Sequence, residues 1–190
     1  MKIWQEARPD ANGLCIQIGL RKKGNTLILS TKFVGRVKSL VLANKSLQYI
    51  FAAYLIGVLP TLFISAFLYF AGLPAQNKVL DEHLPLWVDF VGVSLFSPVV
   101  ETLLMFPIFW MLKIFTSRIG WLCTWSALIW ALLHSALHPV WGLTTFWTFF
   151  VLSISFLLWE RRGKLWAFAI TAIIHSLNNT IVFIVVALSR

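Results

Sequence analysis

Carboxylates are scarce in this chain, with seven Asp and Glu among 190 residues. Charged residues of both signs make up only 12%, against 59% hydrophobic residues and a mean hydropathy of +0.81. That is too little polar surface to cover a soluble domain of this length, so the composition reads as an all-α, polytopic membrane protein. There are only two cysteines, Cys15 in the polar start of the chain and Cys123 inside an apolar run. They form no spaced pair, which excludes a disulfide framework or a cysteine-based zinc site. No apolar core lies near the start to act as a cleavable signal peptide, so the N-terminus is expected to be retained. Transporters commonly carry inverted repeats, and none is evident here, which makes proton-linked transport the weakest of the functional readings.

Positive charge is present but unevenly spread. Nine of the sixteen Lys and Arg precede the first long apolar run. Basic residues beside membrane spans point to anionic lipid at the cytoplasmic leaflet as the partner, not to nucleic acid. Residues 1–46 are read as a basic cytoplasmic segment. In it LCIQIGL and TLILSTKF flank a turn with Gly24 and Asn25, which suits a short hairpin. KFVGRVKSLVL mixes Lys32, Arg36 and Lys38 with Phe33, Val37, Leu40 and Val41, a pattern for a helix lying on the membrane surface. A disordered basic tail is the alternative.

Residues 47–190 read as a bundle of about five transmembrane helices. The expected spans are Tyr49 to Phe70, Trp87 to Leu112, Trp121 to Leu137, Val140 to Trp159 and Leu165 to Leu188. Pro60 interrupts the first and is expected to be accommodated by neighbouring helices; Pro98 and Pro107 are expected to bend or break the second. The fourth carries no ionisable residue and reads as structural. Trp87, Trp110, Trp121, Trp141, Trp159 and Trp166 fall near span ends, where indole favours the interface. Lys and Arg concentrate in the N-terminal segment and in the loops holding Lys113 and Arg118, and Arg161, Arg162 and Lys164. Those sides are expected to be cytoplasmic, which leaves the C-terminus outside.

Glu101 lies in the middle of the second span. A charge at that depth costs roughly 2.5–3.5 kcal/mol on insertion scales, so a functional role competes with a simple interhelical tether. On this topology Glu101, His134, His175 and Asn179 all fall roughly 15–21 Å from the cytoplasmic ends of their spans, at 1.5 Å rise per residue. Convergence at one level predicts a shared polar site between helices. His175 and Asn179 are four apart and share a helix face, while Asn178 projects elsewhere. Trp130 is likewise four before His134. His138, one further turn along, reads as an interfacial residue at a helix end.

SPVVETLLMF, SALIWALLH and AIIHSLNNT resemble the three motifs of the CPBP family of intramembrane proteases, the CAAX-processing and bacteriocin-processing or Abi group. The family patterns Glu-Glu-x-x-x-Arg, Phe-x-x-x-His and His-x-x-x-Asn become Glu101-Thr102 with Phe106, Trp130 with His134, and His175 with Asn179. The resemblance covers Ser97 to Ile181, the three-motif core 97–181. It implies a glutamic-type endopeptidase acting on a membrane-associated protein or leader peptide. Peptide hydrolysis needs a base for water's proton, and Glu101 is assigned to it, with His134 orienting the water. His175 and Asn179 are the expected oxyanion donors, with no cofactor. The alternative is a zinc site of Glu101, His134 and His175 with an open position for water. Thr102 and Phe106, expected as supporting residues, depart from the family's Glu and Arg. Positions four apart can carry a buried ion pair, and replacing both partners of such a pair can be neutral where losing one is costly. A non-catalytic scaffold, or an immunity or maturation protein, is the second functional reading.

Overall fold

The computed structural model describes residues 45–73 and 84–188. The hairpin, surface-helix and disordered-tail readings of the N-terminal segment lie outside these residues. The described residues form an all-α bundle of five helices long and apolar enough to cross a membrane. They are α1 (Ser46–Phe70), α2 (Leu86–Phe115), α3 (Ile119–Leu137), α4 (Trp141–Glu160) and α5 (Lys164–Leu188). The chain is a multi-pass membrane protein, and each helix covers an expected span to within a few residues.

The prolines show how backbone polarity is managed without water. In α1, Pro60 cannot donate to the carbonyl of Ile56, yet the helix runs on to Phe70. The Trp147 indole of α4 donates to that carbonyl at 2.8 Å and so replaces the missing N–H. In α2, neither Pro98 nor Pro107 breaks the helix. The chain instead passes from α-helical Leu86–Phe90 through a π-helical turn, Val91–Phe96, into α-helical Ser97–Phe115. Pro98 follows the turn directly, at the second position of the lower segment. Pro139 ends α3, whose last turn is closed by the His138 N–H on the His134 carbonyl.

α4 is the central helix, packed on α3, α5 and α1. Phe149, Leu152, Phe156 and Trp159 lie fully buried along it. It crosses α3 closely where Gly142 meets Ser135 and the Ala131 carbonyl, and further along Ser153 donates to Ser126 at 3.0 Å. Small and hydroxylated residues at a helix seam allow the close approach on which packing in lipid depends, since the apolar phase itself gives no drive for helices to associate. Trp159 corrects an expectation. It sits at a helix end but is fully buried, edge-on to Tyr49, stacked on Trp166 and covered by the Arg162 guanidinium. The interfacial preference of indole yields here to a core site between α1, α4 and α5. Lys113 and Glu160 join the α2–α3 and α4–α5 ends at 2.7 Å, so those two connections lie on one side of the bundle.

Candidate functional site between α2, α3 and α5

Glu101 lies one turn below Pro98 on α2 and turns its carboxylate into the bundle. Its Oε1 accepts a hydrogen bond from Ser97, four residues earlier on the same face. Its Oε2 faces two imidazoles, with Nε2 of His175 at 3.7 Å and Nε2 of His134 at 3.9 Å. Three of the four residues expected in a shared site therefore meet, from three helices.

Each histidine is held by its surroundings. Nδ1 of His134 lies 2.9 Å from the Trp130 carbonyl, which can only accept. The neutral ring therefore carries its hydrogen on Nδ1 and presents a lone pair at Nε2 toward Glu101. Phe149 of α4 forms the wall behind both rings. It stacks on Trp130 at 4.5 Å between centroids, meets His134 at 5.7 Å and takes His175 edge-on at 5.1 Å. The fourth helix, read as structural, thus sets the position of both imidazoles with a side chain that has no titratable group.

The three groups differ in exposure. The side chains of Glu101 and His134 keep 16% and 24% of their surface, while His175 keeps 3%. Glu101 on α2 and His134 on α3 are the more accessible of the three, and His175 on α5 is the most enclosed.

Asn179 occupies a different position from its expected partners. Its Nδ2 donates to the backbone carbonyl of Val93 in the π-helical turn at 3.0 Å, which commits one of its two hydrogens. Asn178 projects away, as expected, and bonds the Ile174 carbonyl of its own helix beside Gly57 of α1. Thr102 is fully buried, and Phe106 packs edge-on to Phe156 at 4.7 Å. Trp130 is buried against Phe149. His138 ends α3 and lies beside the Trp141 ring, as a helix-end residue.

Four features escaped the reading of the sequence. Ser97 was legible, since a hydroxyl four residues before a carboxylate on one helix can reach it. Asp89, a second buried carboxylate in α2, was also visible as an acid at the start of the span. The roles of Phe149 and of the Val93 carbonyl depend on contacts between helices and leave no local signal.

Glu101, His134 and His175 are donors of a type that suits zinc, with Glu–His separations of 3.9 and 3.7 Å. Among the described residues no group of three or more His, Cys, Asp or Glu is arranged to hold a metal ion. Comparison with family models, with curated proteins and with solved structures finds no match for this chain.

Proposed function

We propose that the protein is an intramembrane endopeptidase that hydrolyses a peptide bond of a membrane-associated protein or leader peptide. The observation that carries this reading is one carboxylate oxygen, Glu101 Oε2, facing two imidazole Nε2 atoms at less than 4 Å inside an apolar bundle. The order and helix placement of the three motifs, which resemble the CPBP pattern, support it.

In this reading a water sits between Glu101 and His134. Glu101 accepts one of its hydrogens and the Nε2 lone pair of His134 accepts the other, which directs the oxygen lone pair at the substrate carbonyl. The water oxygen bonds the carbonyl carbon as its proton passes to Glu101. The oxyanion is met by His175 and by the second Nδ2 hydrogen of Asn179. Collapse breaks the C–N bond, the proton on Glu101 goes to the leaving nitrogen, and a free carboxyl and a free amine result. In the same reading the basic residues of the N-terminal segment and of the α2–α3 and α4–α5 connections face the cytoplasm, with the C-terminus outside. The N-terminal segment would contact anionic lipid there.

The test is processing of a candidate partner in reconstituted membranes. Glu101→Gln and His134→Ala each abolish cleavage while the protein still folds, and Asn179→Ala lowers it by ~10²–10³, the usual worth of one oxyanion donor. Normal processing by Glu101→Gln overturns the protease reading in favour of a scaffold, for which the departures at Thr102 and Phe106 would be the supporting observation. Loss of cleavage on exhaustive chelation, restored by zinc, would overturn the metal-free form.

A further inference from the structure

The π-helical turn in α2 has a specific consequence for the backbone. The Ser97 N–H, which in a continuous α-helix would bond the carbonyl of Val93, bonds Gly92 instead. The next candidate for Val93, five residues on, is Pro98, which has no N–H. In the π register the Val93 carbonyl is therefore deprived of a partner along its own helix, at a depth where no bulk water replaces it. Asn179 of α5 supplies the missing hydrogen at 3.0 Å.

A π turn accommodates an additional residue within an α-helix. At 3.6 residues per turn, one residue rotates everything below it by about 100° relative to everything above. Both parts of α2 are docked on α5. Above the turn Phe90 meets Phe183 edge-on at 5.4 Å, one helical turn beyond Asn179. Below it Glu101 meets His175 at 3.7 Å. Were the turn to revert to α-helix, those two contacts could not both be kept.

We propose that Asn179 is a positioning residue for Glu101: its amide stabilises the π turn at Val93, and the turn sets the rotation at which the carboxylate faces His134 and His175. This deepens the proteolytic reading by assigning a second task to a residue of that site. The geometric claim does not depend on turnover, so it is tested without a substrate.

The decisive variants are Asn179→Leu, which keeps the volume and removes the donor, and Pro98→Ala, which gives residue 98 an N–H. With that N–H the Val93 carbonyl is satisfied in either register, by residue 98 in the π form or by Ser97 in the α form. Wild type, both single variants and the double are compared in one detergent by thermal unfolding and by infrared spectroscopy. The Glu101 carboxyl band is assigned by its loss in Glu101→Gln. Asn179→Leu is expected to lower Tm by ~2–4 °C and to shift the Glu101 band. In the Pro98→Ala background the same substitution should cost less than half as much.

Equal losses of Tm in the two backgrounds, or an unshifted Glu101 band in Asn179→Leu, would overturn the proposal. If Asn179→Leu does not accumulate, folded Pro98→Ala/Asn179→Leu protein supports it, and failure of the double variant as well overturns it. Neither result depends on cleavage, so the positioning role and the protease reading fail separately.

Discussion

Replacing Trp147 by Phe tests how a proline-interrupted helix survives in lipid. The indole donates to the Ile56 carbonyl, which Pro60 leaves without its own partner four residues on. Ile56 is 38% exposed on the bundle surface, so in a bilayer the alternative to the indole is hydrocarbon. Removing one partner of a satisfied pair costs ~1–3 kcal/mol in general, whereas interhelical hydrogen bonds in membrane proteins average ~0.6 and reach ~1.7 kcal/mol. A hydrogen-bond loss of about 1 kcal/mol is therefore expected, or ~2–4 °C in Tm for a chain of this size. Some lost ring contact with Phe150 adds to it. The hydrogen-bond part is isolated by Pro60→Ala, which returns an N–H to the same carbonyl. A carbonyl has two lone pairs, so Pro60→Ala leaves the wild-type contact intact while removing the dependence on Trp147. Thermal unfolding of the wild type, both single variants and the double should show Trp147→Phe costing about 1 kcal/mol less in the Pro60→Ala background. Equal costs in both backgrounds would refute the view that the indole stands in for the proline's missing N–H.

Two further substitutions follow from close packing. Gly142→Ala places a methyl group into the Ser135 side chain and 2.7 Å from the Ala131 carbonyl. Separation of α3 from α4 and a loss of ~1–3 kcal/mol are expected, read by thermal unfolding; an unchanged Tm would show that the crossing is looser than described. At Thr102 and Phe106, restoring one charged residue of the family pattern should destabilise. Thr102→Glu puts a carboxylate at a fully buried position, and Phe106→Arg loses the edge contact with Phe156 and buries a guanidinium that stays charged. The double variant should recover part of the combined loss, and strict additivity in the same assay would show that the two positions do not interact.

The helices were legible because each span is a long apolar run bounded by charge, Pro or Gly, and hydropathy depends only on local sequence. The meeting of Glu101 with His134 and His175 was legible from depth, because topology and a fixed rise per residue place each side chain along the membrane normal. Rotation about the helix axis is a different matter. An i, i+4 pair gives relative direction on one helix, but one extra residue in a π turn rotates the face below it, and nothing local to Val91–Phe96 announces the turn. Pro98 is compatible with an ordinary first helical turn or with a kink, and only Asn179 on another helix makes the π form favourable. For the same reason His175 and Asn179, read together as donors to one atom, differ in the contacts they make. Trp159 shows the opposite failure, since its place near a helix end was read correctly while its burial depends on Tyr49 and Trp166.

A cluster that served only to hold helices together would be expected to close on itself. A carboxylate deep in a membrane gains most from short, direct hydrogen bonds, and Glu101 makes one to Ser97. Its other oxygen does not close on the histidines, because 3.7 and 3.9 Å both exceed hydrogen-bonding reach. In its neutral form the His134 ring, bonded through Nδ1 to the Trp130 carbonyl, turns a lone pair toward that oxygen, and a lone pair opposite a carboxylate oxygen attracts only through something placed between them. A neutral ring acting as a tether would carry its hydrogen on Nε2, whereas the Trp130 carbonyl holds it on Nδ1. Two acceptors converging from α2 and α3, at the two more accessible groups of the site, match the needs of a water with two hydrogens to give. That arrangement supports the proposed reading, in which a water lies between Glu101 and His134.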